Sequence, residues 1–304
     1  MVHQPVLLNE VIKYLNPKSG DNFVDCTVDG GGHSLALLEK NKPDGQVLGI
    51  DLDKTVLDYL KNKIEGTELN QRFILIHRNY IFLNEIIEEY NFKPIQGILL
   101  DLGMSLWQID SQGRGFSFLR DEPLDMRYDP ESNSLTAEVI LNNWPEEKIQ
   151  QILEDYGEER FAPRIAQKII EVRKVVPIKT TGQLVEIIRE VVSAPYRHQR
   201  IHFATRTFQA LRIAVNQELD NLITVLPQII KVLHPGGRAI IISFHSLEDR
   251  IVKNFIQEKE QEQKIKSVLP KVIQPTFEEI FHNPASRSAK MRVFEKIKPE
   301  IKSD

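Results

Sequence analysis

The first hundred residues alternate short apolar runs with stretches of helical periodicity. The apolar runs, rich in Val, Ile, Leu and Phe, predict strands at about residues 22–26, 46–50, 72–77 and 96–101. Stretches such as KTVLDYLKNKI lie between them and carry apolar residues at the i, i+3 and i+4 spacing of helices. Because consecutive parallel strands need a crossover connection, this order predicts an α/β fold in which helices cover both faces of a parallel sheet.

The alternation stops after the fourth predicted strand, and from about Leu102 to Arg212 no segment favours a strand. The helices predicted there are Ser134–Asn142, Pro145–Tyr156, Glu158–Lys174 and Thr181–Val192. We therefore predict a sheet domain in two parts, residues 1–105 and 213–304, with a helical insertion at 106–212 that serves substrate recognition.

Strand character returns at RAIIISFH, after a helical pattern that ends at Leu233. A helix is predicted from Ser246, with Asp249 as its capping partner three residues on. Two further strands are predicted near 265–273 and 289–297.

Composition is that of a globular chain, with 41% hydrophobic and 27% charged residues. No apolar run reaches the roughly 18 residues of a membrane span, and the start of the chain does not resemble a signal peptide, so we expect a cytoplasmic protein. Cys26 is the only cysteine, which excludes an intrachain disulfide and predicts a small buried strand residue.

The net charge of −4 does not indicate a nucleic-acid-binding protein, but the charge is unevenly distributed. From Gly157 to Arg212, eleven Lys and Arg residues outnumber five Asp and Glu residues. Such a basic segment predicts either a local anionic partner or a set of solvated helix faces, and charge alone leaves both interpretations open.

Three acids, Asp25, Asp51 and Asp101, come at the ends of predicted parallel strands. In open α/β sheets, ligands bind at that edge. Gly30, Gly31 and Gly32 fall in the first strand-to-helix turn, where glycine permits positive φ and close approach of a ligand. Asp51 follows them by about 20 residues, the position at which such folds hold a ribose diol.

The turn itself, D-x-T-x-D-G-G-G-H, argues against a phosphate-bearing ligand. It lacks the G-x-G-x-x-G spacing of a dinucleotide site, and no GKS or GKT follows. Several carboxylates would repel pyrophosphate but tolerate a cation. S-adenosyl-methionine, which has a sulfonium and an ammonium group and no phosphate, is therefore the favoured adenosine ligand, although an acid-capped turn without a ligand has the same pattern.

Longer motifs carry a family resemblance over nearly the whole chain. They are HQPVLLNE, DCTVDGGGHS, GIDLD, GILLDLGMS, RGFSF, PLDMRYDP, YGEERFAPRIA, ATRTFQALRIAVNQEL, PGGRAIIISFHSLEDR and NPASRSAKMR. With these the chain resembles the RsmH (MraW) family of bacterial 16S ribosomal RNA cytosine N(4)-methyltransferases. The resemblance implies a class I S-adenosyl-methionine-dependent methyltransferase fold: a Rossmann-like, seven-stranded, mostly parallel sheet with an inserted all-helical domain.

The resemblance also implies where the cofactor, S-adenosyl-L-methionine, would be bound. The implied contacts are Gly31, Gly32, His33, Asp51, Tyr80, Asp101 and Gln108. The chain departs from the family pattern at Asp29, where a glycine is common, at Leu106, which replaces a serine, and at Ile109. Asp29 adds a carboxylate, which would either contact the ammonium group of the cofactor or cap the helix from Ser34.

The implied reaction transfers a methyl group to the 4-amino group of a cytosine in the decoding region. The candidate catalytic residues are Asp101, Ser105 and His245, all near the carboxyl ends of the fourth and fifth strands. For Asp101, contact with the cofactor and orientation of the target amine remain alternatives, and the resemblance favours the first. His245 would contact the target base or a phosphate, or would cap the helix that follows it.

The implied partner is 16S ribosomal RNA, within the small ribosomal subunit, with neither a membrane nor a metal; a monomer and a homodimer are both open. The candidate RNA-binding residues are Arg114, Arg127, Arg197, Arg200, Arg206, Ser246, Arg287, Lys290 and Arg292. Tyr196, His198 and Phe203 are interleaved with three of these arginines, a pattern that suits single-stranded RNA. Phe116 and Phe118 would contact the target or pack the insertion onto the sheet.

Three other functions compete. A methyltransferase for DNA or another RNA would commonly carry D/N-P-P-Y/F after the fourth strand, where this chain has DLGMS. A nicotinamide-dependent oxidoreductase would need the absent G-x-G-x-x-G spacing. A catalytically inactive RNA-binding assembly factor could retain the fold, although the intact acids and glycines argue against it.

Overall fold

A computed structural model describes residues 4–104 and 113–298. The chain forms two compact units: unit 1 comprises Met1–Gly103 and Leu219–Asp304, and unit 2 comprises Met104–Glu218. The sequence placed the boundaries after 105 and 212. Position 212 lies inside the helix Thr205–Asn216, which belongs as a whole to unit 2.

Seven strands form one sheet in unit 1. They are β1 (Phe23–Asp25), β2 (Val47–Asp51), β3 (Phe73–His77), β4 (Gly97–Asp101), β5 (Arg238–Ser243), β6 (Ile265–Ser267) and β7 (Lys290–Lys296). The first four agree with the predicted strands to within one residue at each end. The sixth is shorter than predicted, since beyond Ser267 the chain keeps only a single bridge between Ile273 and Met291.

The strand order is β3-β2-β1-β4-β5-β7-β6. Pairing is parallel between all of the first five strands that are neighbours, whereas β7 runs antiparallel to both β5 and β6. This order, with one antiparallel strand inserted next to the last, is that of class I methyltransferases, and the predicted fold class is confirmed. The order reverses between β1 and β4, which marks the switch point where such sheets bind ligands.

Four helices precede unit 2. They are α1 (Leu8–Leu15), α2 (Gly32–Lys40), α3 (Lys54–Ile64) and α4 (Leu83–Glu89). Two separate apolar clusters show that both faces of the sheet are covered, because neighbouring residues of one strand enter different clusters. Phe23 and Leu99 belong to one cluster, and Val24 and Ile98 belong to the other. Alternation of side chains across a strand produces this division, and Cys26 is buried as predicted.

Unit 2 is helical over its described part. Its helices are α5 (Ala137–Asn143), α6 (Glu146–Asp155), α7 (Ala162–Arg173), α8 (Thr181–Val191), α9 (Ala194–Arg197) and α10 (Thr205–Asn216). Within residues 113–218 the only β pairing is one bridge between Pro123 and Thr180. The first helix begins later than Ser134 because Thr136 is its N-cap, with its hydroxyl accepting from the Val139 amide.

After unit 2 the chain completes unit 1 with three helices. They are α11 (Glu218–Val232), α12 (Ser246–Gln261) and α13 (Phe277–His282). Among the described residues, we find no helix with both the length and the apolar character needed to cross a membrane.

Candidate active site

The turn from β1 to α2 is organised by a buried carboxylate. Asp25, with 0% of its surface exposed, accepts a 2.6 Å hydrogen bond from the Ser34 hydroxyl and a 3.2 Å bond from the Thr27 amide. Burial raises the pKa of Asp25 to about 7, although these two hydrogen bonds oppose the shift. Asp25 therefore fixes the turn from below.

The two glycines of the turn are required by packing. Gly31 is the N-cap of α2 with φ 77°, and its amide donates to the carbonyl of Val28 at 2.8 Å. A Cβ on Gly31 would lie 2.7 Å from Leu60 Cδ2, and one on Gly32 would lie 2.9 Å from Pro5 Cδ. The close approach predicted for a ligand is thus made by side chains of the protein itself, and the cofactor contacts of Gly31 and Gly32 stay predictions.

Asp51, at the end of β2, is held in a fixed orientation. Its Oδ2 accepts from the Asp29 amide at 2.9 Å, and its Oδ1 accepts from the Asp53 amide at 2.8 Å. Burial raises the pKa of Asp51 to about 6 against these backbone bonds. Each carboxylate oxygen keeps a second lone pair, so this half-buried group can still accept two hydroxyl hydrogen bonds, as a ribose diol requires.

His33 and Asp101 lie side by side in the interior. The Nδ1 atom of His33 is 3.7 Å from Oδ2 of Asp101, and its Nε2 atom is 2.9 Å from the carbonyl oxygen of Val6. His33 is 5% exposed and Asp101 is 6% exposed. His33 thus connects the segment before α1 to the end of β4, and it stands next to a carboxylate as its predicted role requires.

Asp101 has an oxygen available for a ligand. Its backbone amide donates to the Thr27 hydroxyl at 2.7 Å, which fixes the end of β4 against the first turn. Its Oδ1 is buried and has no hydrogen-bond partner within residues 4–104 and 113–298. Burial, and then the charges of Asp25 and Glu248, raises the pKa of Asp101 well above its ordinary value.

Asp29 does not cap the helix. The helix α2 begins at Gly32, and its N-cap Gly31 makes no side-chain capping bond. Asp29 instead adopts φ 47°, and burial followed by the charge of Asp51 raises its pKa well above the ordinary value. Of the two roles considered for this residue, helix capping is wrong.

His245 is the N-cap of α12. Its Nδ1 accepts from the Glu248 amide at 3.4 Å, and Glu248 Oε2 accepts from the His245 amide at 3.3 Å. The predicted cap, Ser246 with Asp249, is therefore wrong, because the box is formed one residue earlier. The cap leaves Nε2 of His245 buried, 3.2 Å from Glu248 Oε1 without hydrogen-bond alignment, so a contact with the target stays a prediction.

Three further predicted residues lie near the ends of β3 and β4. Tyr80 begins a short 3₁₀ turn directly after β3 and packs, half-buried, against the apolar cluster that includes Ile98. Ser105 and Gln108 lie outside the described residues.

Two arginines predicted to bind RNA hold the loop before α5. Arg114 Nη1 donates to the carbonyls of Arg127 and Tyr128 at 2.8 and 2.9 Å. Arg127 forms two hydrogen bonds with Asp125, at 2.8 and 2.6 Å. Nearby, Phe116 is buried in the core of unit 2. The guanidinium groups have structural roles, and their contacts with RNA stay predictions.

The basic segment after α8 is only partly a surface. Arg197 and Arg200 are exposed, and Arg206 is half-buried with Nη1 donating to the Glu158 carbonyl at 2.7 Å. Tyr196 and Phe203, however, are 8% and 7% exposed. The predicted stacking of RNA bases on these two rings is therefore wrong, because both belong to the core of unit 2.

The remaining predicted RNA contacts lie in unit 1. Ser246 and Arg287 are exposed. Lys290 and Arg292 both donate to Asp249, at 3.2 and 2.7 Å, and these bonds hold the pKa of Asp249 below its ordinary value although burial opposes them. The two cations are thus largely neutralised within unit 1.

Sequence reasoning missed Thr27, Val6 and Glu248. The first two contact Asp101 and His33, and Glu248 is the buried partner of His245. Their signals were present in DCTVDGGGHS, HQPVLLNE and SFHSLE, but local periodicity cannot show which residues pair across the chain.

The chemistry of this edge fits a cationic adenosine ligand. Asp29, Asp51 and Asp101 bring carboxylates together at the switch point, and burial and mutual repulsion raise the pKa of each. A cation would relieve that repulsion, whereas pyrophosphate would increase it. The donor set therefore fits S-adenosyl-methionine and does not fit a dinucleotide.

Comparisons with known proteins agree with this geometry. The model of the MraW methylase family matches residues 1–297. Proteins named ribosomal RNA small subunit methyltransferase H are similar over 97% of this chain: one from Heliobacterium modesticaldum is 44% identical with 99% of its own length covered, and one from Thermosipho melanesiensis is 45% identical with 98% covered. A third, from Thermomicrobium roseum, is 42% identical over 97% of this chain and 94% of its own. The chain belongs to the MraW methylase family.

Proposed function

We propose that this methyltransferase transfers a methyl group from S-adenosyl-methionine to the exocyclic 4-amino group of a cytosine in the decoding region of 16S ribosomal RNA. The observation that carries the proposal is the edge formed by Asp51 and Asp101, where carboxylates stand ready for a cation and a ribose. The names of the relatives, which refer to small-subunit ribosomal RNA, support the class of substrate.

In this proposal the chain's own residues bind and orient the cofactor. When bound, S-adenosyl-methionine supplies an electrophilic methyl group on its sulfonium. Asp51 accepts from the ribose hydroxyls, since backbone amides already fix its carboxylate. Gly32 and His33 lie beside its amino-acid end, with Tyr80, Asp101 and Gln108 as the further contacts.

Orientation is the main requirement of the reaction, because the amine of cytosine is conjugated with the ring and is a weak nucleophile. The protein must place the amine in line with the methyl carbon at about 3 Å. An acceptor near the amine would take the proton that is lost as the nitrogen is methylated. Asp101 Oδ1 can accept a hydrogen bond from either the amine or the cofactor ammonium, and Ser105 and His245 are the other candidates for contact with the target.

The RNA must present an unstacked cytosine. We propose that unit 2 contributes to its recognition through the exposed Arg197 and Arg200, together with Arg287 of unit 1. Phosphate contacts by arginine position an RNA without reading its sequence. An enzyme with this substrate acts where ribosomes are assembled, which agrees with the expected cytoplasmic location.

The test is tritium transfer from labelled S-adenosyl-methionine to purified small ribosomal subunits, to naked 16S ribosomal RNA and to DNA, followed by mapping of the modified nucleotide. Label on the 4-amino group of one cytosine in the decoding region is expected. Label on a different RNA or on DNA would replace the proposed substrate. A protein that binds the cofactor and subunits but transfers no label would be an inactive assembly factor, contrary to the proposal.

A further inference from the structure

Asp29 is an unusual residue for its backbone conformation. Its φ of 47° lies in the left-handed region, where glycine is preferred and aspartate is tolerated at some cost. The conformation aims the backbone amide at Asp51 Oδ2, 2.9 Å away. A glycine would supply the same amide without the strain, so the hydrogen bond does not explain why a carboxylate stands here.

The carboxylate is also electrostatically unfavourable in the protein alone. It lies close enough to Asp51, Asp101 and Asp25 for all three charges to raise its pKa, after burial as the largest cause. Strained residues and like-charge groups of this kind concentrate at functional sites, where a ligand compensates for them.

An independent observation indicates a ligand at the same place. Asp101, 6% exposed, keeps Oδ1 without a hydrogen-bond partner among the described residues. Asp51 presents a carboxylate that two backbone amides hold in place. The group that satisfies these oxygens must donate hydrogen bonds or carry positive charge.

We propose that Asp29 makes the site selective for the charge of the cofactor, so that the sulfonium form, S-adenosyl-methionine, binds more tightly than its uncharged thioether product, S-adenosyl-homocysteine. This inference rests on the proposed function. The two ligands share the adenosine, the ammonium and the carboxylate and differ by the methyl group and one positive charge. An added negative charge in a partly buried site stabilises the first more than the second.

The consequence concerns turnover. Methyl transfer removes the sulfonium charge, and with it the attraction to the Asp29 carboxylate. The product therefore leaves a site that retains its full carboxylate repulsion, and the next cation is favoured in exchange. Asp29 would thus reduce product inhibition without touching the reacting atoms.

The test is calorimetric titration of the whole protein with both ligands. In Asp29→Asn, which keeps the side-chain size, and Asp29→Gly, which suits φ 47°, the ratio of the two affinities is expected to shift about tenfold towards S-adenosyl-homocysteine. Asp58→Asn removes an equal charge from an exposed face of α3 and should leave the ratio unchanged. Loss of discrimination in Asp29→Gly alone would assign the effect to side-chain size and overturn the inference.

Unfolding by urea without ligand gives a second measurement. Both Asp29 variants should be more stable than the wild type at pH 8, because they remove a carboxylate that repulsion and burial disfavour. A residue with a merely structural role would show the opposite sign. Normal affinities with an unchanged ratio would overturn the inference alone, whereas a wild-type protein that binds neither ligand would overturn the proposed function.

Discussion

His33 Nδ1 lies 3.7 Å from Asp101 Oδ2, while Nε2 of the same ring lies 2.9 Å from the carbonyl oxygen of Val6. A backbone carbonyl only accepts hydrogen bonds, so Nε2 carries a hydrogen. Nδ1 and Oδ2 then either share one proton or meet as two lone pairs, which would repel. The two side chains are therefore coupled, and the proton between them depends on what charge a ligand brings to Asp101.

Asp101→Asn tests which side of the reaction this carboxylate serves. The change keeps the side-chain size and removes the charge that faces His33. Since Asp101 lies among Asp29 and Asp51, we expect the cofactor Kd to rise at least about tenfold. At saturating cofactor, kcat should fall by a smaller factor. An unchanged Kd with a strongly reduced kcat would instead place Asp101 against the target amine.

Asp25 predicts an unusual pH dependence of stability. Its folded pKa of about 7 lies above the ordinary 3.8, so the stabilisation from its protonated form is complete below the unfolded pKa and is lost as the pH rises through 7. Between pH 5 and 7 the free energy of unfolding of the wild type, without ligand, should fall by roughly 2 kcal/mol more than that of Asp25→Asn. Urea unfolding at several pH values measures this difference.

The matched control for Asp25 is Asp58→Asn, at an exposed position of α3. It should follow the wild-type pH dependence. Parallel curves for Asp25→Asn and the wild type would show that Asp25 is ionised throughout this range, against the desolvation argument.

His245 separates a capping role from contact with the target. His245→Ala removes the acceptor for the Glu248 amide and should destabilise the protein by about 1 kcal/mol. His245→Asn restores a good N-cap and should recover most of that stability. If His245 contacts the target, both variants lose turnover at least about tenfold, with cofactor affinity little changed. Full turnover in His245→Asn would leave only the cap.

The sheet could be predicted from the sequence because its signals are local. Each strand end is an apolar run closed by an acid, and Asp25, Asp51 and Asp101 end β1, β2 and β4 as expected. Parallel pairing then brings these ends to one edge without further information. The fold class and the carboxylate edge follow from these local patterns and the topology.

The partners of these side chains could not be predicted in the same way. His33 binds a carbonyl 27 residues earlier in the chain, and no periodicity encodes that pairing. Tyr196 and Phe203 stand among arginines, and this local mixture is typical of a surface. Both rings are nevertheless buried because unit 2 has its own apolar core, and Tyr196 enters it with its hydroxyl donating to Glu159.

Arg197 and Arg200 provide the sharpest test of the RNA surface, because they are exposed and Tyr196 and Phe203 are not. The double variant Arg197→Gln, Arg200→Gln should weaken binding to 16S ribosomal RNA and lower the slope of log affinity against log salt by about 1. Filter binding between 50 and 200 mM salt, ~4-fold apart, would measure the slope. Lys61→Gln with Lys93→Gln removes the same charge from exposed positions of unit 1, so an equal loss there would reduce the effect to net charge.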